Sequence, residues 1–160
     1  MKRSSTAFLK VVIVLIAAGA IAGMIRFPQT EGRATNLDLI SVYSDPFIIY
    51  LYIASIPFFT ALQQAFKLLG YVDKNNIFSP AAVKTIGNIK YCAIALMGFI
   101  AAAISYVFFV SKTTNDDGAG AIAVGIITIF ASSVIATVAA VFQKLLQNAV
   151  DIKSENDLTV

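Results

Sequence analysis

The chain has 160 residues, 58% of them hydrophobic and only 13% charged, with a net charge of +3 and a mean hydropathy of +0.80. A soluble domain carries about 25% charged residues, so this composition excludes both a water-soluble globule and a disordered chain. The absence of His and the single Cys remove His-based catalysis, most zinc sites and any internal disulfide.

Crossing about 30 Å of hydrocarbon takes roughly 20 apolar residues in a helix that rises about 1.5 Å per residue. Four runs meet that length: residues 7–25, 47–66, 91–110 and 119–142. None alternates as a barrel strand would, and in lipid each backbone group must pair within its own segment. The expected fold is therefore all-α: an integral membrane four-helix bundle, one domain over residues 1–160.

The first run follows a basic start, Lys2 and Arg3, and contains Ala20-Ile21-Ala22, both features of a secretory leader. It continues through Gly23, Met24 and Ile25 to full bilayer length, so it reads as a retained helix. Gly19-Ala-Ile-Ala-Gly23 is a small-xxx-small pattern. It reads as packing within the chain, with a dimer face as the alternative. A loop of mixed polarity, residues 26–45, follows.

Asp45-Pro46 is a helix-opening signal, a capping carboxylate before a proline at the first helical position. The second helix should continue through Lys67 and Leu68 and end at Gly70 in a left-handed residue. It carries the most polar stripe: Tyr52, Thr60, Gln63 and Lys67 fall in one sector, with Gln64 at its edge. The functional reading is a ligand cleft. The structural reading, which carries more weight near a helix end, is that Gln63 and Gln64 bond neighbouring helices while Lys67 snorkels to the interface. Pro57 should kink this helix.

Asp73-Lys74-Asn75-Asn76 is a turn. Ser79-Pro80 opens a helix with Val83, Ile86 and Ile89 on one side, expected to lie at the membrane interface and run into the third span. Cys92 is a palmitoylation candidate but reads as a buried or lipid-facing thiol. The short loop 111–118 makes spans three and four antiparallel neighbours. Ser132, Ala136 and Ala140 form a small-residue stripe on span four, read as internal packing. Beyond that span Phe142, Leu145, Leu146, Ala149 and Ile152 recur at helical spacing, predicting an amphipathic extension over 143–160 that gives way to a polar tail from residue 154. The terminal Leu158-Thr159-Val160 is a weak motif for capture of a free C-terminus.

Charge orients the bundle. The N-terminus, the loop 67–90 and the C-terminal tail carry nine of the twelve basic residues and four of the nine acids; the other side has three basic residues and five acids. Basic residues stay on the cytoplasmic side, so both termini and the middle loop are expected there, in a plasma membrane. The excess implies affinity for anionic lipids on that face, at about 1 kcal/mol per exposed Lys or Arg. Spread over three short segments, it is not a direct nucleic-acid surface. No acid, Arg or His lies in the middle of a span, which argues against ion-coupled transport and against intramembrane hydrolysis. No catalytic, cofactor-binding or metal-binding residue is expected.

The stretches Ile56-Pro-Phe-Phe59, Gln64-Ala-Phe-Lys-Leu-Leu-Gly-Tyr-Val-Asp-Lys-Asn-Asn-Ile-Phe-Ser79, Ile89-Lys-Tyr-Cys-Ala-Ile94 and Ile152-Lys-Ser-Glu-Asn-Asp-Leu-Thr-Val160 resemble the YoaS-like family. These are small four-helix bacterial membrane proteins, largely from Gram-positive organisms, that form a domain of unknown function. The resemblance implies pairing with a small helix-turn-helix regulator, which many members have as a genetic neighbour, and it supplies no catalytic residues. The leading expectation is a non-enzymatic interaction or regulatory protein that meets its partner through Asp73, Lys74, Asn75, Lys153, Glu155 and Asp157. The alternatives are a small oligomeric exporter or immunity-type protein built around the second span, and a lipid-organising protein with no fixed partner.

Overall fold

The computed structural model describes residues 3–30, 40, 43–114 and 117–158. Four helices account for nearly all of them: α1, Arg3–Thr30; α2, Pro46–Asp73; α3, Pro80–Thr114; and α4, Ala119–Leu158. All four are long and apolar enough to cross a membrane, and no strand occurs among the described residues. The all-α, four-span architecture thus agrees with the hydropathic pattern. Lys2, residues 31–39 of the loop before α2 and residues 159–160 lie outside the described residues.

The opening signals work as their chemistry dictates. The Asp45 carboxylate accepts from the Phe47 N–H at 2.8 Å, with Pro46 at the first helical position, where no N–H is needed. Ser79 Oγ accepts from the Ala82 N–H at 3.3 Å ahead of α3, and the Asp117 carboxylate accepts from Ala119 N–H at 3.0 Å ahead of α4. The end of α2 departs from expectation. The helix passes Gly70 and stops at Asp73, and the left-handed residue is Asn75, at φ 51°. The Lys74 N–H still reaches the Gly70 carbonyl and the Asn76 N–H the Tyr71 carbonyl, so the last carbonyls are satisfied one turn later. The reason is packing: Leu68 and Tyr71 bury part of their surface against the cluster that includes Ala82, Val83 and Ile86 of α3.

The helices pack strictly in chain order. α1 lies against α2, α2 against α3 and α3 against α4, and α1 and α4 do not approach each other. The bundle is therefore open between its first and last helices. At one end lie the start of α1, the 74–79 turn and the end of α4; the Thr30, Pro46, Thr114 and Ala119 ends lie at the other.

Length decides where the helices leave the bilayer. At about 1.5 Å per residue, the 35-residue α3 and 40-residue α4 measure roughly 52 and 60 Å, against about 30 Å of hydrocarbon. The two are joined by a short connection at residues 115–118, so their excess length emerges together at the end that holds the termini. The segment from Pro80 runs into the third span without a break, as expected. It is the continuous first part of α3, with Ala82, Val83 and Ile86 buried against α2 and α4. The 154–158 segment is likewise the last turn of α4 rather than a polar tail.

Two small-residue patterns also resolve differently from expectation. A Cβ added at Gly19 or Gly23 would meet nothing within 4 Å, so that pattern does not seat α1 on another helix of the chain. On α4, Ser132 and Ala136 are buried as expected, but Ala140 is exposed and the next buried position is Ala139. The buried row steps by seven residues per two turns, not by four.

Candidate functional site

The best-packed part of the molecule is not mid-span but at the terminal end. Ala82, Val83 and Ile86 of α3 meet Ala139 and Leu146 of α4, and Leu68, Tyr71, Ile77, Ile89 and Val150 close around them. Each has a local cause: Leu68 and Tyr71 sit three apart on α2, Val83, Ile86 and Ile89 repeat every three on α3, and Ala139, Leu146 and Val150 follow a heptad-like row on α4. Mid-span residues, by contrast, are mostly exposed. Apolar surface in lipid has no reason to leave it, whereas the same surface in water does. The ends of three helices thus form a helical cap held together by apolar burial.

Two polar pairs brace this end. The Lys10 ammonium of α1 forms a salt bridge with the Asp73 carboxylate at the last residue of α2, with the Phe66 ring 5.6 Å away. The Lys90 ammonium of α3 donates to Gln143 Oε1 of α4 at 2.9 Å. Gln143 can lie there because its partner across the interface is Gly87, where a Cβ would stand 2.7 Å from the Gln143 amide nitrogen. Neither pair emerged from sequence reasoning. The available signals were Lys10 interrupting an otherwise apolar run and a glycine facing a glutamine, and both need the depth register of the helices to be connected.

The predicted partner-contact residues fall on this cap. Lys74 and Asn75 are exposed on the turn, and Lys153 and Glu155 are exposed on the last turns of α4. Asp73 is held by Lys10. The side chain of Asp157 lies outside the described residues. Among the described residues, no group of three or more His, Cys, Asp or Glu side chains is placed to hold a metal ion.

The polar stripe of α2 does not converge. Tyr52 donates to the Met24 carbonyl of α1 at 3.1 Å and Thr60 to the Ile56 carbonyl of its own helix at 2.8 Å. Gln63 and Lys67 are exposed and Gln64 is half-buried. The interhelical cavities are lined by other, mainly apolar groups. One of about 450 Å³ lies between α1 and α2 beside Gly23, Met24, Phe27, Ile48 and Tyr52. Another of about 260 Å³ lies between α2 and α3 beside Phe47, Tyr50 and Tyr106. Both are lined mainly by apolar groups and carry few convergent polar ones, so they suit an apolar occupant better than a polar solute. Cys92 is half-buried.

This geometry is that of four helices of spanning length with a packed apolar core at the end that holds both termini. The family model described as "Protein of unknown function (DUF2975)" matches residues 11–160. The chain belongs to this family. It is similar to the "Uncharacterized membrane protein YoaS" of Bacillus subtilis (strain 168), with 47% identity over 162 residues that take in all of both chains. No solved structure matches it. The resemblance carried by the middle loop and the tail thus holds across the whole chain, and the protein is a multi-pass membrane protein.

Proposed function

We propose that the chain is a non-enzymatic, membrane-anchored interaction protein of the plasma membrane that works through the end carrying both termini, and that this end is cytoplasmic. The observation that carries this reading is the cap: the chain's densest apolar core lies at the end that holds both termini, where α3 and α4 continue past the length a bilayer crossing takes. Rigid structure built outside the membrane serves contacts made outside it. The cap displays Lys67, Lys74, Lys84, Lys144 and Lys153 on its exposed surface, which suits it to lie against anionic lipid or an acidic partner. The helix-turn-helix regulator implied by the family resemblance is the first partner to test. The exporter and immunity readings rest on the α2 stripe, whose residues are dispersed.

The experiment is a mild-detergent pull-down of tagged full-length protein from its native membrane, compared with a deletion of residues 154–160 that removes only the last turn of α4 and spares the cap core. The expected result is a stoichiometric protein partner that is lost on deletion while membrane insertion is retained. Recovery of the same partner with both forms removes the tail from the contact; recovery of no protein partner overturns the reading.

A further inference from the structure

Helix α4 carries two apolar seams, and the chain fills only one. The first, Ser132, Ala136, Ala139, Gln143, Leu146 and Val150, steps by four and three residues and faces α3, the one helix against which α4 packs. The second is Ile135, Val138, Phe142, Leu145, Ala149 and Ile152, which steps by three and four on the adjacent face. Ile135, Val138, Phe142, Leu145 and Ile152 are 53, 49, 58, 60 and 61% exposed. The upper part of that seam sits in lipid and needs no protein cover. Its lower part does not have that option: Ile152 lies ten residues beyond Phe142, about 15 Å further along the helix axis at 1.5 Å per residue, in the part of α4 that overhangs the bilayer.

The shape of the stripe argues against a membrane-surface helix. Asn148 and Lys153 border its lower part on either side, and Lys144, Gln147 and Asp151 lie on the face beyond, leaving the narrow two-in-seven seam of a coiled coil rather than the broad face of an interfacial helix. We infer that this seam joins two copies of the chain, with the two α4 helices parallel in a left-handed coiled coil that starts inside the bilayer and continues into the aqueous cap. Continuity selects the occupant. A partner must cross the membrane at the same depth and extend from the same side with the same spacing, and a second α4 does so by construction. No charged residue occupies the seam between Ile135 and Ile152, so two copies meet without like-charge repulsion. Area agrees: the five exposed seam residues with Val134 and Val141, 47 and 54% exposed, offer about 100 Å² each. That makes roughly 700 Å² per copy, close to the ~800 Å² per partner of a stable interface. The pairing leaves the cap surface on α2 and α3 free.

The test is cysteine cross-linking of the full chain in its native membrane. In a Cys92→Ser background, Leu145→Cys and Ile152→Cys should each give a disulfide-linked species of twice the chain mass, while Gln147→Cys and Lys144→Cys give none. A non-cysteine variant guards against trapped collisions: Leu145→Glu, on a face exposed within the chain, should convert two-step photobleaching of a fluorescently tagged protein into one step without loss of insertion. Cross-links of equal yield at all four positions, products of another mass, or one-step bleaching of the unsubstituted protein would each overturn the pairing.

Discussion

Gly125 and Gly87 both sit at close approaches of α3 and α4, yet they answer different needs. A Cβ at Gly125 would lie 2.7 Å from both Cδ1 and Cγ1 of Ile104, a β-branched side chain that a helix holds to one rotamer. Gly125→Leu should therefore force the helices apart and lower stability by about 1–3 kcal/mol, read as an earlier midpoint when the protein in mixed micelles is titrated with dodecyl sulfate. At Gly87 the obstructing group is the tip of the Gln143 side chain, which can swing away, so Gly87→Ala should cost little packing and instead disturb the Lys90 contact. Gln143→Leu isolates that contact. It removes the acceptor of a half-buried ammonium, and because Lys90 can reach towards water along its own stem the loss should stay near ~1 kcal/mol. A midpoint unchanged from the parent would show that Lys90 is fully hydrated without Gln143.

Among the elements, α1 is the one held at its ends. Among the described helices it packs on α2, and it is held by the Lys10–Asp73 salt bridge at one end and, at the other, by hydrogen bonds from Tyr52 to the Met24 carbonyl and from Tyr43, ahead of α2, to the Ile25 carbonyl. Cavities lie beside both attachments. Lys10→Ala combined with Tyr52→Phe should release it: in a Cys92→Ser background, bismaleimide cross-linking of Val14→Cys to Phe66→Cys falls, while cross-links placed across α3 and α4 keep their yield. The sites are far enough apart that the two losses should add, and each single variant should show part of the effect; undiminished cross-linking in the double variant would mean that lipid-facing packing alone seats α1. This arrangement also shows what sequence could and could not reveal. Hydropathy and the Asp45-Pro46 and Ser79-Pro80 signals mark the spans and two helix starts, because both are local. Hydropathy tells where a helix enters water and not where it stops: the helical periodicity of Val83, Ile86 and Ile89 and of Leu145, Leu146 and Ile152 marks the extensions of α3 and α4, whereas the ends of α2 at Asp73 and of α4 at Leu158 carry no such local mark. Lys10 and Asp73 are 63 residues apart, and nothing local to either announces the other.

For the molecule as a whole, the excess helix length and the excess positive charge point the same way. α3 and α4 project at the end that holds Lys67, Lys74, Lys84, Lys144 and Lys153, all exposed, and basic residues in short segments next to a span resist translocation. The described residues of the opposite end carry few charges, among them Arg26, Asp45, Lys112 and Asp117. The cap should therefore remain in the cytoplasm. Single cysteines in a Cys92→Ser background test this directly, with Lys74→Cys and Lys153→Cys reporting the cap and Ser44→Cys and Lys112→Cys the far end; all four parent side chains are exposed. A membrane-impermeant maleimide added to intact cells should label Ser44→Cys and Lys112→Cys and spare the other two, and inverted vesicles should reverse the pattern. The pairing is the decisive feature: Lys74→Cys and Lys153→Cys must always label together, because α3 and α4 form one hairpin that returns the chain to the side it left. Labelling of the cap from outside would invert the orientation and place its packed core, and whatever binds it, on the extracellular face; labelling of Lys74→Cys without Lys153→Cys would break the four-span topology itself.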